Sequence, residues 1–332
     1  MKAFIKAISY YLPERIVCNE ELVKDFPEWT VVKIVDKVGV KQRHIADEET
    51  ISDMAVKASE RMFQENPDID RKDIDFVIVC TQSPDYFLPS TACIVQDRLG
   101  LTTKCGAFDF NLGCSGYEYG LAIAKGFIEA GIARNILFIT SEAYNKHLHP
   151  RDKGNRTIFG DAATATLISD SGFAEIGDFV LGTDGSGAEN LIVRTGGMAH
   201  PEKANDLTFD EDGNPRSSDH LYMNGGEIFS FTLIRVPKMV KQTLEKNNLT
   251  KDDINLYVFH QANKFMLDHL RKKLKIDEDR FFMNMENIGN TVSSTIPIAL
   301  ADAKAVGKLH GNVLIAGFGV GLSWGATILK IV

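Results

Sequence analysis

The apolar positions of this 332-residue chain fall into two kinds of run. Six short stretches show no polar alternation: "FVIVC" (76–80), "NILFIT" (135–140), "ATATLI" (163–168), "NLYVF" (255–259), "NVLIAGF" (312–318) and "GATILKIV" (325–332). A strand that reads this way is covered on both faces, so the six predict sheets buried inside an α/β protein. Between them, apolar residues recur at three- and four-residue spacing and predict helices over 52–64, 90–99, 116–130, 227–247, 264–273 and 295–306. In "LPSTACIVQDRLG", Ser90 is the expected N-cap and Gly100 the stop. The opening "MKAFIKAISYYLPERIVC" lacks a sustained apolar core with a small-residue cleavage site, and predicts a first strand rather than a leader.

The pattern also repeats at long range. "NLGCSGYEYGLAIAKGFIEAGIARNILFIT" lies over "NIGNTVSSTIPIALADAKAVGKLHGNVLIA" without a gap. Asn111 meets Asn287, Gly113 meets Gly289, Gly131 meets Gly307 and Leu137 meets Val313. Upstream, "KDIDFVIVCTQSPD" matches "DDINLYVFHQANK" at a similar offset. Two related α/β halves are expected, 1–170 and 171–332. Around their junction, "FDEDGNPRSSDH" should be exposed.

Composition narrows the function. A net charge of -8 with no basic stripe argues against nucleic acid, and no run of eighteen apolar residues predicts a membrane span. Cys18, Cys80, Cys93, Cys105 and Cys114 include no CxxC pair, which points to reduced thiols in a cytoplasm and to no structural metal. The glycines of "GFGVGLSWG" lead into a strand, whereas a dinucleotide loop enters a helix.

One cysteine stands out. A cysteine after an apolar run is most often a packed small hydrophobe, and Cys80, Cys93 and Cys105 are read that way. Cys114, however, sits between Gly113 and Gly116 at a helix start, and the repeat pairs it with Asn290. The repeat also pairs Cys80 with His260, each at the carboxyl end of a buried strand, where α/β proteins gather ligands. A pseudo-twofold would bring Cys114, His260 and Asn290 together. A helix start or imidazole is expected to lower the thiol pKa toward a usable thiolate. Backbone N–H groups could hold an oxyanion, His260 could move a proton, and the Asn290 amide is a permanent donor. Such a set suits thioester exchange followed by enolate stabilisation. Alone, His260 could equally be structural and Asn290 a turn residue.

With these motifs in place the chain resembles the β-ketoacyl-acyl carrier protein synthase III family of thiolase-like condensing enzymes. The likeness runs nearly end to end through "YLPERIVCNEEL", "GVKQRHIADEET", "NLGCSGYEYGLA", "RTIFGDAATATLI", "LGTDGSGAENLIV", "MNGGEIFSF", "HQAN", "NIGNTVSSTIPIAL" and "GFGVGLSWGA". The resemblance implies a five-layer α-β-α-β-α fold of two duplicated halves with mixed sheets, a homodimer, no cofactor and no metal. It implies an acyltransferase of fatty acid or lipid metabolism. Cys114 would take an acyl group from acyl-coenzyme A or an acyl-carrier protein. His260 and Asn290 would stabilise the enolate of malonyl-carrier protein as it loses carbon dioxide, and a 3-oxoacyl product would leave. The backbone N–H groups of Cys114 and Val320 would form the oxyanion hole, and Asn263 would help orient His260 and Asn290. Leu88, with Phe87 beside it, would line the acyl pocket across the dimer interface.

Departures from the family loosen the identity of the donor. Counted from Gly39, the family's coenzyme A tryptophan and arginine fall on Lys33 and Lys37, and Trp29 lies four residues early, so indole stacking is expected to be lost. Phe265 replaces an arginine after "HQAN", leaving Lys264, Arg271, Lys272 and Lys273 to dock an acidic carrier, or simply to form a solvated helix face. Val320 stands where "GFGGG" is usual. Three alternatives compete with decarboxylative condensation. One is a specialised acyltransferase serving oxygen, nitrogen or other carbon nucleophiles. A degenerate partner subunit is disfavoured by the intact cysteine, and a true thiolase by the absence of any cysteine after Cys114.

Overall fold

The computed structural model describes residues 1–211 and 213–332. Its main sheet is mixed. Phe4–Tyr11 runs antiparallel to Ala162–Ser169, which is antiparallel to Asn135–Glu142; parallel to that lie Phe76–Cys80 and then Gly106–Phe110. On the other side, Ala174–Ile176 and Val180–Thr183 run antiparallel to Ser323–Ile331, which is antiparallel to Asn312–Gly319, with Ile254–Phe259 parallel beyond. The short Ala174–Ile176 strand also pairs with Phe4–Tyr11 and joins the two sides into ten hydrogen-bonded strands. Moving away from this link, each side passes from antiparallel to parallel pairing, after three antiparallel pairs on the first side and two on the second.

The helices make the remaining layers. Gly116–Glu129 and Thr295–Ala305 touch strands of both sides and lie between them. Ile51–Glu65 and Thr91–Arg98 cover the outer face of the first side, and Gly225–Lys246 covers that of the second, with Lys264–Leu274 packed against it. This is the thiolase-like five-layer fold. The unbroken apolar runs are the buried strands, and Ala162–Ser169 is buried at every position. Among the described residues no helix is long and apolar enough to cross a membrane.

Several local expectations change. The opening strand is broken by Pro13 into Phe4–Tyr11 and Arg15–Cys18, the second pairing with Gln42–Ile45. Helices Asn19–Asp25 and Val31–Val38 and the strand Gly106–Phe110 were not anticipated. Ser90 occupies the N-cap position, but its side chain does not cap; the Thr91 and Ala92 N–H groups donate instead to the Asp109 carboxylate, at 2.5 and 2.7 Å. A carboxylate there also meets the positive end of the helix, which explains why it can displace a local cap. Of the polar stretch 209–220, Asp212 lies outside the described residues; its neighbours are exposed or half-buried around a small hairpin, Thr208–Phe209 with Pro215–Arg216.

Candidate active site

Cys114 lies in the turn between the strand Gly106–Phe110 and the helix Gly116–Glu129. The flanking glycines are steric necessities. A Cβ on Gly113 would sit 2.4 Å from Val320 Cγ1, and one on Gly116 would sit 2.4 Å from Cys80 Sγ. The turn is thereby wedged between the Val320 loop and the end of the strand Phe76–Cys80. Cys114 itself is 93% covered, with 7% of its surface exposed.

The electrostatics at the sulfur differ from expectation. Burial, and then the nearby Glu142 carboxyl, push the Cys114 thiol up to about 12, although the N–H groups of Val320 and of Cys114 itself point at it and favour the thiolate. Resting Cys114 is therefore a thiol, which would have to lose its proton to act as a nucleophile. Glu142 is fully buried, accepting from the Gln82 N–H at 3.1 Å and from Ser293 Oγ at 3.4 Å. Glu118, one helical turn beyond Cys114, is also fully buried, and neither of its carboxyl oxygens has a hydrogen-bond partner among the described residues. Burial raises the pKa of both acids, Glu142 and Glu118.

This arrangement makes a pH-dependent prediction. With the thiol held near 12, alkylation of Cys114 by iodoacetamide rises about tenfold per unit between pH 7 and 10, because the thiolate fraction does. Peptide mapping separates it from Cys93, which is exposed rather than a packing thiol as expected. A rate that levels off by pH 8 would show that the turn's N–H groups outweigh burial.

His260 follows the strand Ile254–Phe259, and its backbone N–H donates to Ala316 O at 2.9 Å. Burial pushes the imidazole down to about 3, so it is neutral. Its Nδ1 lies 2.7 Å from Thr295 Oγ1, which lies 3.0 Å from the carbonyl of Val292. When Thr295 gives its one proton to Val292, Nδ1–H is the donor and Nε2 keeps its lone pair; with the hydroxyl turned toward Nδ1, the ring proton sits on Nε2 instead.

The orientation of the Asn290 amide follows from its partners. Its Oδ1 accepts from the Val292 N–H at 2.9 Å, and its Nδ2 faces Ala262 O at 3.4 Å, leaving a second N–H to donate. Val292, between Asn290 and Thr295, has φ +56°, a left-handed conformation that a β-branched residue adopts only under constraint. Its N–H and C=O serve Asn290 and Thr295, so the strained residue holds two polar side chains in place.

Cys114, His260 and Asn290 all line one cavity of about 180 Å³, whose walls are otherwise mainly apolar, with Phe159, Leu191, Met223 and Phe318 prominent. Asn263 also lines it, and its Oδ1 caps the helix Lys264–Leu274 through the Met266 N–H at 2.9 Å. The arrangement can load an apolar acyl group onto sulfur beside a neutral base and an amide donor.

The outlying expected residues are placed differently. Phe87 and Leu88 do not line this chain's cavity; with Tyr86 they form a loop tip whose side chains are mostly exposed. Lys33 and Lys37 bring their ammonium groups 5.2 and 5.6 Å from the Trp29 ring, so the indole is beside them after all, carried there by the turn preceding the helix Val31–Val38. Of the basic set, Lys272 and Lys273 are exposed and Lys264 faces Asp268 at 3.7 Å. Arg271 is turned inward to Ile276 O and Glu278, which removes it from a docking face. Phe265 stacks near His269 and Phe229, at ring separations of 4.3 and 5.4 Å. Reasoning from sequence missed Glu142, Thr295 and the apolar walls. Nothing local marks Glu142 or Thr295, which the repeat pairs only with Tyr119.

Comparison with known proteins agrees with this fold. The family model described as 3-oxoacyl-[acyl-carrier-protein (ACP)] synthase III matches residues 108–185, and that of its C-terminal part matches 244–331. A β-ketoacyl-[acyl-carrier-protein] synthase III of Caldanaerobacter subterraneus subsp. tengcongensis is 37% identical over 99% of this chain and 97% of its own length. A crystal structure of a 3-oxoacyl-(acyl-carrier-protein) synthase III is 46% identical, with TM-score 0.97 and all of both chains covered. A 3-oxoacyl-(acyl-carrier protein) synthase from Burkholderia xenovorans LB400 is 36% identical, with TM-score 0.90, covering 100% of this chain and 94% of that one.

Proposed function

The chain belongs to the 3-oxoacyl-[acyl-carrier-protein] synthase III family of condensing enzymes, and on that premise we propose that Cys114, His260 and Asn290 carry its decarboxylative Claisen condensation. The observation that supports this most is their convergence on one apolar cavity from three separate elements.

In the first half-reaction Cys114 Sγ attacks the carbonyl of an acyl thioester carried on coenzyme A or a carrier protein. Its proton passes to neutral His260 Nε2 and then to the departing carrier thiolate. The carbon–sulfur bond to the carrier breaks and the acyl-Cys114 thioester forms. The negative oxygen of the tetrahedral state lies against the N–H groups of Cys114 and Val320.

In the second half-reaction malonyl-carrier protein enters. Asn290 Nδ2 donates to its thioester carbonyl, and so does His260 once Thr295 turns its proton to Nδ1. Carbon dioxide leaves, the electrons of that bond form the enolate, and its carbon attacks the acyl group. The 3-oxoacyl-carrier protein departs as the Cys114 sulfur is freed and takes a proton from solvent. The residual charge is handled by donors already aimed at it, which is where catalysis gains most.

The finer assignments belong to the same proposal. Trp29, Lys33 and Lys37 form an aromatic and cationic patch suited to a nucleotide diphosphate, and Lys264, Lys272 and Lys273 to an acidic carrier. The exposed Tyr86–Leu88 tip suits insertion into a second copy of the chain, making a cytoplasmic homodimer in which each copy trims the other's acyl pocket. Intact-mass measurement tests the core reading. The enzyme is incubated with a panel of acyl-coenzyme A and acyl-carrier donors, and malonyl-carrier protein is then added. A thiol-linked adduct discharged as a 3-oxoacyl carrier product is expected. An adduct that malonyl thioester cannot discharge would mean transfer to another nucleophile.

A further inference from the structure

Both donors of the proposed oxyanion hole are backbone groups, one in a turn and one in a hairpin loop, and neither element fixes its separation from the other. A pair of buried hydroxyls spans the gap. Ser115 follows the nucleophile, and its Oγ lies 2.5 Å from Ser323 Oγ at the start of the last strand. Ser323 Oγ in turn donates to the carbonyl of Val320 at 3.1 Å. Ser115 is 0% exposed and Ser323 1%, so water does not compete for them.

The direction of this chain can be deduced. A carbonyl only accepts, so Ser323 spends its single proton on Val320. Ser115 must then give its own proton to Ser323 Oγ. The result is a one-way relay from the residue beside Cys114 to the residue whose N–H completes the hole. Among the described residues neither hydroxyl has a further polar partner, so loss of Ser323 strands Ser115 in a dry site, and loss of Ser115 removes the donor that holds Ser323.

The contacts around the relay are tight enough for it to matter. A Cβ on Gly319, the residue that pairs with Ser323 across the hairpin, would lie 2.9 Å from both Cβ and Sγ of Cys114. The hairpin therefore runs directly over the nucleophile. A small shift of the loop moves the Val320 N–H relative to the reacting carbonyl, and affects the sulfur only through the one N–H that faces it.

We infer that Ser115 and Ser323 are positioning residues that tie the Val320 loop to the nucleophile turn and so set the geometry of the oxyanion hole. This rests on the reading of Cys114 and Val320 given above. It adds two side chains that act through backbone groups and touch no substrate.

The test compares two reactions of one sulfur. Acylation by a thioester passes through an oxyanion, whereas alkylation by iodoacetamide does not. Wild type, S115A, S323A and the double variant are assayed for acyl-Cys114 formation by intact mass, for Cys114 alkylation by peptide mapping, and for Tm. Each single variant should acylate about tenfold slower or worse, a fraction of the effect of deleting an oxyanion donor outright. Alkylation should fall by clearly less than acylation, because it feels the Val320 N–H only through the thiolate fraction. The double variant should be no slower than S323A, because the two hydroxyls act as one chain. Unchanged acylation would overturn the inference. So would acylation and alkylation falling equally, which marks a loss of fold, or two single effects that multiply. A wild type that alkylates but accepts no acyl group from the donor panel would instead overturn the reading of Cys114, and this inference with it.

Discussion

Cys114→Ser yields a folded protein that forms no acyl adduct, and its condensing activity falls by at least about three orders of magnitude. The substitution changes one atom in a site already defined by its neighbours: the glycines on either side, the Val320 loop above and Cys80 behind. Tm should therefore move little. What changes is the chemistry of proton loss. A thiol raised to about 12 by burial and Glu142 is still within reach of a neutral imidazole during attack, whereas a serine hydroxyl in the same dry setting is much harder to deprotonate. Intact mass after exposure to an acyl-coenzyme A panel reads the outcome directly. Cys93 supplies the control, since it is exposed and could take up label non-specifically. A Cys93→Ala variant should keep both adduct and turnover. If Cys114→Ser still carried an acyl group through turnover, the nucleophile would lie elsewhere.

Cys114 stood out in the sequence as the candidate nucleophile because its setting is local. Two glycines, a cysteine and the start of a helix lie in consecutive positions, and the second half repeats the turn with Asn290 in place of Cys114. The buried strands were legible for a similar reason: covering on both faces leaves no polar alternation. What could not be read depends on groups brought together across the fold. Ser90 had the identity of a cap, but Asp109 from a neighbouring strand captured the first-turn N–H groups. Counting residues put Trp29 four positions away from Lys33, and it could not show that the turn before Val31 sets the ring beside both lysines. Arg271 was counted as surface charge, yet it folds back on its own helix end. The state of the thiol was the largest miss. A helix start alone predicts a lowered pKa, and the opposing influence is burial together with a carboxyl at the end of another strand. No local pattern in the sequence encodes that contest.

The second half-reaction separates the two remaining groups. In Asn290→Ala, acyl-Cys114 should form within a few-fold of the wild-type rate, while its discharge by malonyl-carrier protein falls on the order of 10² to 10³. The asymmetry follows from the geometry. The Asn290 Oδ1 is held by the Val292 N–H, so the amide offers the cavity a donor and no base. Acylation needs a proton acceptor, and decarboxylation needs donors to an enolate. His260→Ala should slow both steps, because one neutral ring accepts the thiol proton in the first and, with Thr295 turned toward Nδ1, donates in the second. Truncating Asn290 also releases the Val292 N–H in a strained turn, so Asn290→Asp is the sharper companion. Aspartate keeps an acceptor for that N–H and loses the donating amide, so it too should acylate and fail to condense. The measurement is made on enzyme acylated beforehand, following loss of the adduct and release of carbon dioxide after malonyl-carrier protein is added. Should both Asn290 variants lose acylation as severely as condensation, Asn290 would be holding the turn rather than the enolate. Should both discharge normally, decarboxylation would be driven from another side of the cavity.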